Sequence, residues 1–486
     1  MTRSCGLALA MLCLGAALPA FVTAQGVRGT ASTTSRLIEF RPLQADTIDA
    51  SRLEIDADGR VRLDGRPIAC RPATPCIVYR PTERQVASTL SQDVRLTAWG
   101  FGVTGLSATA FLRARAHAGD AVWPRADDAF DAMIAYVEWD RSPVRFRVGR
   151  QYAMGGLGFS SFDGASVLYR RGRSLSAELY AGRSLARGLS EPRSEALQAF
   201  DDFVPDPSVI LLGGTVSGSP VPGMDLAGRY QREIFANRAG LASERASAEV
   251  SITRIVPIHV VASADYDFAF GRIGKAHVRA RVPVGNAFAV EATGRRYLPY
   301  FELWTIWGFF DPVGYNEGEL LVAWTDGARL GLTAAGSLRR YGETGVNVIG
   351  PTLERDTRRV SLNGWWQPLK DWTFNGSFRR ETGFGASFGG GDVSVRWDPG
   401  PAAIRASVTV FEQIEEFRVG EGSVLGAGID GTVRITTQVE IDAGLSLYRH
   451  TSDREDTADW NQRRAFVSLR LGFGRDPGMR QGGGPR

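Results

Sequence analysis

The sequence has no long apolar run beyond its first residues. After residue 24, no stretch approaches the roughly 20 apolar residues that a membrane-spanning helix requires. The formal net charge of +4 over 486 residues is too small to identify a class of partner. A helical membrane protein is therefore excluded, and a chain embedded in a membrane would have to cross it with a structure other than helices.

Histidine and cysteine are both scarce, with four of each in the chain. The histidines are widely separated, at His117, His259, His277 and His450. No serine nucleophile elbow, zinc motif or phosphate loop stands where its structural context would support it. We therefore expect no catalytic residue, no metal site, no cofactor and no nucleic-acid partner.

The first 24 residues are typical of a cleaved export signal. Arg3 precedes an apolar run over residues 7–21, and a site of small residues ends at Ala24. The run is too short to span a bilayer and remain there as an anchor. We therefore predict a signal peptide over residues 1–24 and an exported mature protein.

Removal of that segment leaves two cysteines, Cys70 and Cys76, with five residues between them. Thiols this close in sequence tend to pair in an oxidising compartment. Two sulfurs without a nearby histidine do not make a zinc ligand set. We therefore predict a disulfide between Cys70 and Cys76.

Period-two alternation is the pattern that the chain has in abundance. In the closing segment, residues 464–473, a polar or small residue stands between apolar ones. Successive side chains of a strand point to opposite faces, so one face of this segment is apolar and the other polar. The apolar members are Ala465, Val467, Leu469, Leu471 and Phe473, and the other face carries Ser468, Arg470 and Gly472.

About 21 such segments follow from residue 92 onward, joined alternately by short and long connections. Only a closed barrel satisfies every backbone group of strands in a membrane, and an even strand number places both termini on one side. An upstream strand near residues 76–91 would complete 22. We therefore predict an all-β chain with one large antiparallel transmembrane β-barrel of roughly 16 to 22 strands, with 22 favoured. The predicted short turns include 103–105, 283–286, 325–327, 399–401 and 430–432.

The barrel is expected over residues 91–474. Residues 25–90 lack the alternation, so we expect a short N-terminal segment that is periplasmic or inserted in the lumen. Residues 475–486, rich in glycine and arginine, are expected to form a disordered tail. Outer-membrane barrels have short periplasmic turns and longer outer loops, so the expected location is the outer membrane of a diderm bacterium.

One hairpin resembles a known family. The stretch Arg147-Val148-Gly149-Arg150-Gln151, followed by glycines at 155, 156 and 158 and by Phe162-Asp163-Gly164-Ala165, is similar to a hairpin of porin and alginate-export-type outer-membrane channels. The likeness covers about twenty residues, and it implies a diffusion or facilitated channel without naming a solute. The open alternative is that these glycines only permit a tight wall and a bent loop.

The polar face of the predicted strands is rich in arginine. Rings of charged side chains lower the energy of a counter-ion in a narrow pore, so we predict mild anion selectivity. The alternative, which stays open, is that the arginines pair with acids on neighbouring strands and hold the wall together. The predicted pore-lining residues are Arg113, Arg115, Arg145, Arg147, Arg279, Arg281, Arg295, Arg329, Arg339, Arg379 and Arg405.

The predicted loop 297–311 is dense in aromatic residues. It could fold inward as a constriction, or as a track on which sugar-like or aromatic solutes stack. It could equally pack within the loop cap or at the membrane interface, where aromatic residues concentrate.

These features predict a porin-like channel for passive passage of small hydrophilic solutes, with anions favoured, and no enzyme. Two other classes stay open: a structural or adhesion barrel with a plugged lumen, and a barrel hydrolase that assembles a histidine with a serine or aspartate at its rim. The expected partners are outer-membrane lipid, lipopolysaccharide, small solutes and the barrel-assembly machinery. The last strand ends in Phe473, which resembles the signal that this machinery reads. The solute and the oligomeric state stay open.

Overall fold

The computed structural model describes residues 26–41, 43–55, 61–63, 66–67, 76–119, 129–172, 174–185, 209–236, 239–253, 258–298, 314–342, 356–383, 389–413, 422–452 and 459–474. In these ranges the chain is nearly all β-strand, with one turn of 3-10 helix at Ala50–Arg52. No helix in them is long and apolar enough to cross a membrane. The predicted signal peptide, the predicted tail and Cys70 lie outside the described residues, so these predictions and the disulfide stay predictions.

Twenty-two strands pair antiparallel in one closed sheet, as predicted. The first wall strand is β1 (Gly26–Phe40), and five short strands outside the wall follow it: β2 (Leu43–Ile48), β3 (Leu53–Ile55), β4 (Val61–Leu63), β5 (Arg66–Pro67) and β6 (Cys76–Pro81). The other wall strands are β7 (Gln85–Trp99), β8 (Leu106–Gly119), β9 (Phe130–Arg141), β10 (Val144–Gly155), β11 (Gly158–Arg171), β12 (Leu175–Ser184), β13 (Val209–Val221), β14 (Met224–Phe235), β15 (Leu241–Ile252), β16 (His259–Asp267), β17 (Arg272–Val284), β18 (Phe288–Tyr297), β19 (Tyr315–Thr325), β20 (Leu330–Tyr341), β21 (Asp356–Leu369), β22 (Trp372–Gly383), β23 (Gly389–Trp397), β24 (Ala402–Gln413), β25 (Gly422–Arg434), β26 (Val439–Ser452) and β27 (Trp460–Gly474).

β1 closes the barrel between the last strand and β7. Arg28 of β1 lies opposite Gly474 of β27, and Gly26 lies opposite Trp99 of β7. Each of the other wall strands pairs with wall strands adjacent to it along the chain. The sheet therefore has no free edge, which is the condition for a sheet in lipid.

The prediction that residues 25–90 precede the barrel is wrong for both ends of that segment. Gly26–Phe40 is a wall strand, and the next wall strand begins at Gln85, not at 91. The missing strand is thus β1 and does not lie at 76–91. Its exterior face carries small and polar residues such as Gly29 and Ser35, so the alternation is too weak to recognise.

The two ends of the barrel differ in their connections. At the short-turn end, strands are joined by segments such as Ser142–Pro143 and residues 326–329. The first residue of β1, Gly26, and the last residue of β27, Gly474, also lie at this end. At the long-loop end lie the connections 41–84, 185–208 and 298–314. Because outer-membrane barrels carry their long loops outside, the connection 41–84 belongs to the outer side and is not periplasmic.

One predicted turn is also wrong. Residues 430–432 lie inside β25, and the chain turns later, at residues 435–438. Asp430 accepts a hydrogen bond from the Nε of Arg405 on the neighbouring strand at 2.9 Å. An Asp-Gly pair is a turn signal in isolation, but here cross-strand pairing holds it in the wall.

The wall has one apolar and one polar face. Leu338, Val393 and Val360 are 66%, 64% and 58% exposed on the apolar face, which the closed sheet turns outward. The predicted apolar face of the closing strand follows the same rule, with Val467 and Phe473 exposed and Arg470 on the other side, paired with Glu440. Large side chains exposed in this regular way fit a lipid-facing exterior.

Candidate functional site: the pore

The hairpin of β10 and β11 extends beyond the wall at the long-loop end. Pairing of β10 with β9 stops at Arg150 opposite Ala135, and pairing of β11 with β12 stops at Phe162 opposite Ser184. The two strands continue to pair with each other as far as Gly155 opposite Gly158. Residues 151–160 therefore form a two-stranded arm that no longer pairs with β9 or β12.

This arm lies against the inner face of strands further round the barrel. The carbonyl oxygen of Gly158 accepts a hydrogen bond from Arg229 Nη1 of β14 at 2.7 Å. Ser160 Oγ donates to Gln231 Oε1 at 3.0 Å. Because β12 and β13 stand between β11 and β14 in the wall, these contacts are made across the interior. The arm therefore occupies part of the lumen.

A small apolar core fixes the arm to the wall. Phe162 and Leu211 are 1% and 0% exposed, and they pack with Ala153 and Tyr180. The Phe162 and Tyr180 rings stack with centroids 5.5 Å apart. Burial of these apolar side chains stabilises the position of the hairpin inside the barrel.

Arg229 is the polar anchor of the arm. Its side chain donates from Nε to Tyr180 Oη at 2.8 Å and from Nη2 to Gln231 Oε1 at 2.7 Å, and the residue is 3% exposed. No carboxylate of the described residues lies within ion-pair distance of it. The guanidinium thus donates hydrogen bonds to neutral oxygens of the wall and of the arm, and these bonds fix the arm inside the lumen.

Glycine is required at two points of this hairpin. A Cβ on Gly156 would lie 2.5 Å from Glu249 Oε1 and 2.6 Å from Ser247 Oγ of β15, so the turn of the arm touches the wall directly. Gly149, where the arm leaves β9, has a φ of +124°. The glycines that carried the family resemblance therefore serve a bent, closely packed arm inside the lumen.

A column of basic residues runs down the inner face of β17. These residues occupy alternate positions, on the face of β17 opposite to the one that carries the exposed exterior residue Val278: Lys275, His277, Arg279 and Arg281. Arg279 and Arg281 are exposed to the lumen, and neither makes an ion pair with a described residue. Glu291 of β18 lies directly opposite Arg281 without forming an ion pair with it. That these two arginines line a pore stays a prediction.

The inner-face arginines of β18, β20 and β21, namely Arg295, Arg339 and Arg359, are neutralised instead. Glu317, whose side chain is 1% exposed, lies 3.2 Å from Arg339 Nη2 and 3.6 Å from Arg359 Nη1. Arg359 also pairs with Glu381, at 3.0 Å. Arg295 lies 3.4 Å from Glu319. This network holds the inner wall and carries little net charge, as the alternative interpretation of the arginines described.

The other predicted arginines divide in the same way. Arg329 lies in the exposed turn before β20 and is a rim residue, not part of the wall. Arg115 and Arg379 lie in β8 and β22 on the inner face. The remaining predicted arginines pair across strands: Arg113 with Asp93 at 2.7 Å, Arg147 with Glu138 at 2.6 Å, Arg145 with Glu178 at 3.5 Å and Arg405 with Asp430 at 2.9 Å. Their role in lining a pore stays a prediction.

Residues 299–311, which are most of the predicted aromatic loop 297–311, lie outside the described residues. Its first residue, Tyr297, ends β18 on the inner face. It joins Tyr315 and Tyr341 of the next two strands in a row, with ring centroids 5.3 and 5.4 Å apart. These rings border the charge network at the long-loop end, since Arg339 lies 4.3 Å from the Tyr315 ring.

The residues that position the arm were not predicted from the sequence. Arg229, Gln231 and Glu233 alternate along β14 and so could have been assigned to the inner face. Nothing in the local pattern indicates that a hairpin three strands away folds onto them. The buried Glu317 was missed for a similar reason, because its partners come from β20 and β21.

The histidines do not form a site together. His117, His259, His277 and His450 lie on β8, β16, β17 and β26, and His450 stacks on Trp460 at 4.5 Å. Within the part of the chain that the structure describes, no group of three or more histidine, cysteine or acidic residues could hold a metal ion.

A closed antiparallel barrel with an apolar exterior and a charged interior is the architecture of outer-membrane β-barrels. The chain is a protein of this class. No family model and no curated protein matches it.

Solved structures to which the chain is similar include outer-membrane proteins of Pseudomonas. The siderophore receptor PirA from Pseudomonas aeruginosa shares 11% identity at a TM-score of 0.49, over 92% of this chain and 80% of that one. A BenF-like porin from Pseudomonas fluorescens Pf-5 shares 8% at 0.39, over 93% and 100%. OccK2 from Pseudomonas aeruginosa, solved with glucuronate, shares 11% at 0.37, over 92% and 98%. The alginate-export part of the hairpin resemblance gains no support from these similarities.

Proposed function

We propose that this protein is a passive outer-membrane channel for small hydrophilic solutes, and that anions are favoured. The observation that carries the anion preference is the basic column of β17, with Arg279 and Arg281 exposed in the lumen and unpaired among the described residues. An arginine that is not held in an ion pair lowers the energy of an anion beside it, whereas a paired arginine does so only weakly.

The arm supports a channel with a defined narrow zone. It is tied to the inner wall by Arg229 and by the packing of Phe162, at the end of the barrel where a solute enters from outside. A fixed obstacle in a wide barrel reduces the passage to a size at which wall charges act on the solute. The face of the arm turned away from the wall is exposed, with Tyr152 and Phe159 stacked at 5.4 Å.

Planar-bilayer recording of the refolded full-length protein tests this function. We expect discrete conductance steps and, in a gradient of potassium chloride, a reversal potential on the anion-selective side. Absence of steps from folded protein would contradict the channel, and a cation-selective reversal potential would contradict the anion preference.

The role of the basic column has its own test. Replacing Arg279 and Arg281 together by glutamine should move the reversal potential toward cations, because two free lumen charges are removed. The control replaces Arg183 and Arg232, two arginines on the exterior face at the long-loop end, and should leave the reversal potential unchanged. Equal shifts in both variants would show that the column has no special role.

A further inference from the structure

Arginines cluster on the exterior of the barrel at the long-loop end of β18 to β22. Arg296 stands one residue before the end of β18, and Arg340 one residue before the end of β20. Arg358 and Arg380 lie within three residues of the strand ends in β21 and β22. We call these four residues the exterior arginine patch.

The alternation of the wall places the patch on the lipid-facing side. Arg358 is directly opposite Leu338, which is 66% exposed, and Arg380 is directly opposite Val360, which is 58% exposed. Exposed apolar residues continue from there toward the short-turn end, for example Leu362 at 50%. The patch therefore marks the height at which the apolar band ends and the headgroups of the outer leaflet begin.

The patch carries excess positive charge. Arg340, with a side chain 75% exposed, pairs with Asp356, its Nε 2.9 Å from Oδ1. Arg296, Arg358 and Arg380 make no ion pair with any residue in the described ranges. Among the described residues, the four guanidinium groups thus share one ion-paired acid, and the exterior acid Glu412 lies two strands from Arg380, across Gly389. A charge facing hydrocarbon on this surface would be costly.

The rest of this rim carries aromatic residues and scattered arginines. On β14 and β16 the exterior positions near the long-loop end hold Tyr230 and Tyr266, and Phe268 follows in the adjoining turn. Such residues form the usual aromatic girdle at a headgroup interface. Single arginines also stand on this part of the rim, and two of them lie close to acids: Arg449 is 3.9 Å from Asp459 and Arg463 is 4.0 Å from Glu39. What distinguishes β18 to β22 is that four exterior arginines gather there, which indicates a specific contact on that side.

The register brings the patch together. Arg296 lies opposite Asn316, and Asn316 lies opposite Arg340, so these arginines are two strands apart, or about 10 Å. Arg358 is two residues along from Asp356, which lies opposite Arg340. Arg380 lies opposite Val360, two residues further along β21 than Arg358, so the patch extends over four strand spacings, about 19 Å. The long arginine side chains at its two ends can therefore reach one headgroup that carries more than one phosphate.

We propose that the exterior arginine patch binds the phosphate groups of a glycolipid headgroup in the outer leaflet. Arginine matches phosphate oxygens in a two-point geometry and is weakly hydrated, which suits a contact at the edge of a bilayer. Its long stem lies along the apolar band while its charged end reaches the headgroup level. This surface is separate from the lumen and does not depend on what the channel conducts.

The test measures binding of lipid A that carries both phosphates to the full-length protein in neutral micelles. In the patch variant, Arg296, Arg340, Arg358 and Arg380 are replaced by glutamine. Its matched control replaces four exterior arginines elsewhere on the rim: Arg183, Arg232, Arg449 and Arg463. We expect about a fivefold loss of affinity for each patch arginine removed, and a change within about twofold for the control.

Two further arms identify the source of the phosphate. Dephosphorylated lipid A should bind the native protein as weakly as the patch variant binds the phosphorylated lipid. Inorganic phosphate should not displace phosphorylated lipid A from the native protein. Equal losses in both quadruple variants, or equal binding of the dephosphorylated lipid, would overturn the proposal.

Folding of each variant is checked by its heat-modifiable migration on a gel. If the patch variant does not fold, the single change Arg358→Gln, which breaks no ion pair with a described residue, replaces it with an expected loss of about fivefold. Conductance should be the same in native and patch-variant protein, so the lipid proposal and the channel proposal can fail separately.

Discussion

At the scale of single residues, Arg229 is the side chain that anchors the arm to the inner wall. Replacing it by methionine keeps most of its volume and removes the donors to Gly158 and Tyr180. Each buried oxygen left without a donor costs about 1 to 3 kcal/mol, so we expect the arm to detach from the wall. Single-channel conductance should rise, and the arm should become sensitive to protease in the folded barrel.

The control for this change lies on the same strand. Arg232 is three residues away on the exterior face, and Arg232→Met should leave conductance and protease resistance unaltered. If Arg229→Met gave native conductance and native resistance, the arm would not depend on this anchor.

Asp326 is a second residue whose role can be measured. It stands in the turn between β19 and β20, where its Oδ1 accepts hydrogen bonds from the backbone N–H groups of Leu330, Arg329 and Ala328 at 2.8, 2.8 and 3.0 Å. These bonds, that from Leu330 foremost, lower the pKa of Asp326 below its ordinary value of 3.8. The ionised carboxylate therefore stabilises the turn.

The sign of the pH dependence follows from the lowered pKa. The stabilisation is fully present above pH 3.8 and is lost as the pH falls through the lower pKa of the folded state. Asp326→Ala should lower the midpoint of urea unfolding at neutral pH, and Asp326→Asn should lower it less because an acceptor remains. The difference between native protein and Asp326→Ala should shrink in acid. A difference that grew in acid would contradict this account.

At the scale of elements, the arm depends on the absence of a side chain at its turn. Gly156→Ala introduces a methyl group that would lie within 3 Å of Ser247 and Glu249, so the arm must move off β15. Overpacking of this kind costs about 1 to 3 kcal/mol. We expect higher and noisier single-channel conductance than in native protein.

Gly294→Ala is the matched control for the arm. Gly294 is a wall glycine with no atom within 4 Å of an added Cβ, and the change should leave conductance as it is. Native conductance in Gly156→Ala would mean that the arm tolerates the displacement or does not limit the passage.

The elements also show how far a sequence pattern reaches. Alternation predicted the wall from β7 onward because each exterior face there carries large apolar residues. It missed β1, whose exterior positions include Gly29, Ala31 and Ser35, since lipid exposure does not require large side chains when the strand is paired on both sides. It also misplaced the turn at Asp430, where a long-range ion pair outweighs a local turn signal.

At the scale of the whole molecule, the charge of the lumen could not be predicted from single strands. Alternation places Arg279 and Arg339 on the inner face alike, yet the first is free of ion pairs among the described residues and the second is bound to Glu317. The difference depends on the register of neighbouring strands and on where their acids fall. Register is a property of the closed sheet. The number of arginines on the inner face can therefore be predicted from the sequence, whereas the net charge of the lumen after ion pairing cannot.

Closure itself is a property that one residue can test. Ala31 lies in the middle of β1, opposite Leu471 of β27 and Val94 of β7, so its N–H belongs to a ladder with strands on both sides. Ala31→Pro removes that donor and leaves a carbonyl unpaired within the apolar zone, at a cost of several kcal/mol. We expect the variant to lose the compact, heat-modifiable gel species, whereas Ala31→Val, which keeps the N–H, should retain it. A fully folded Ala31→Pro barrel would show that β1 is an accessory strand and that the remaining wall closes without it.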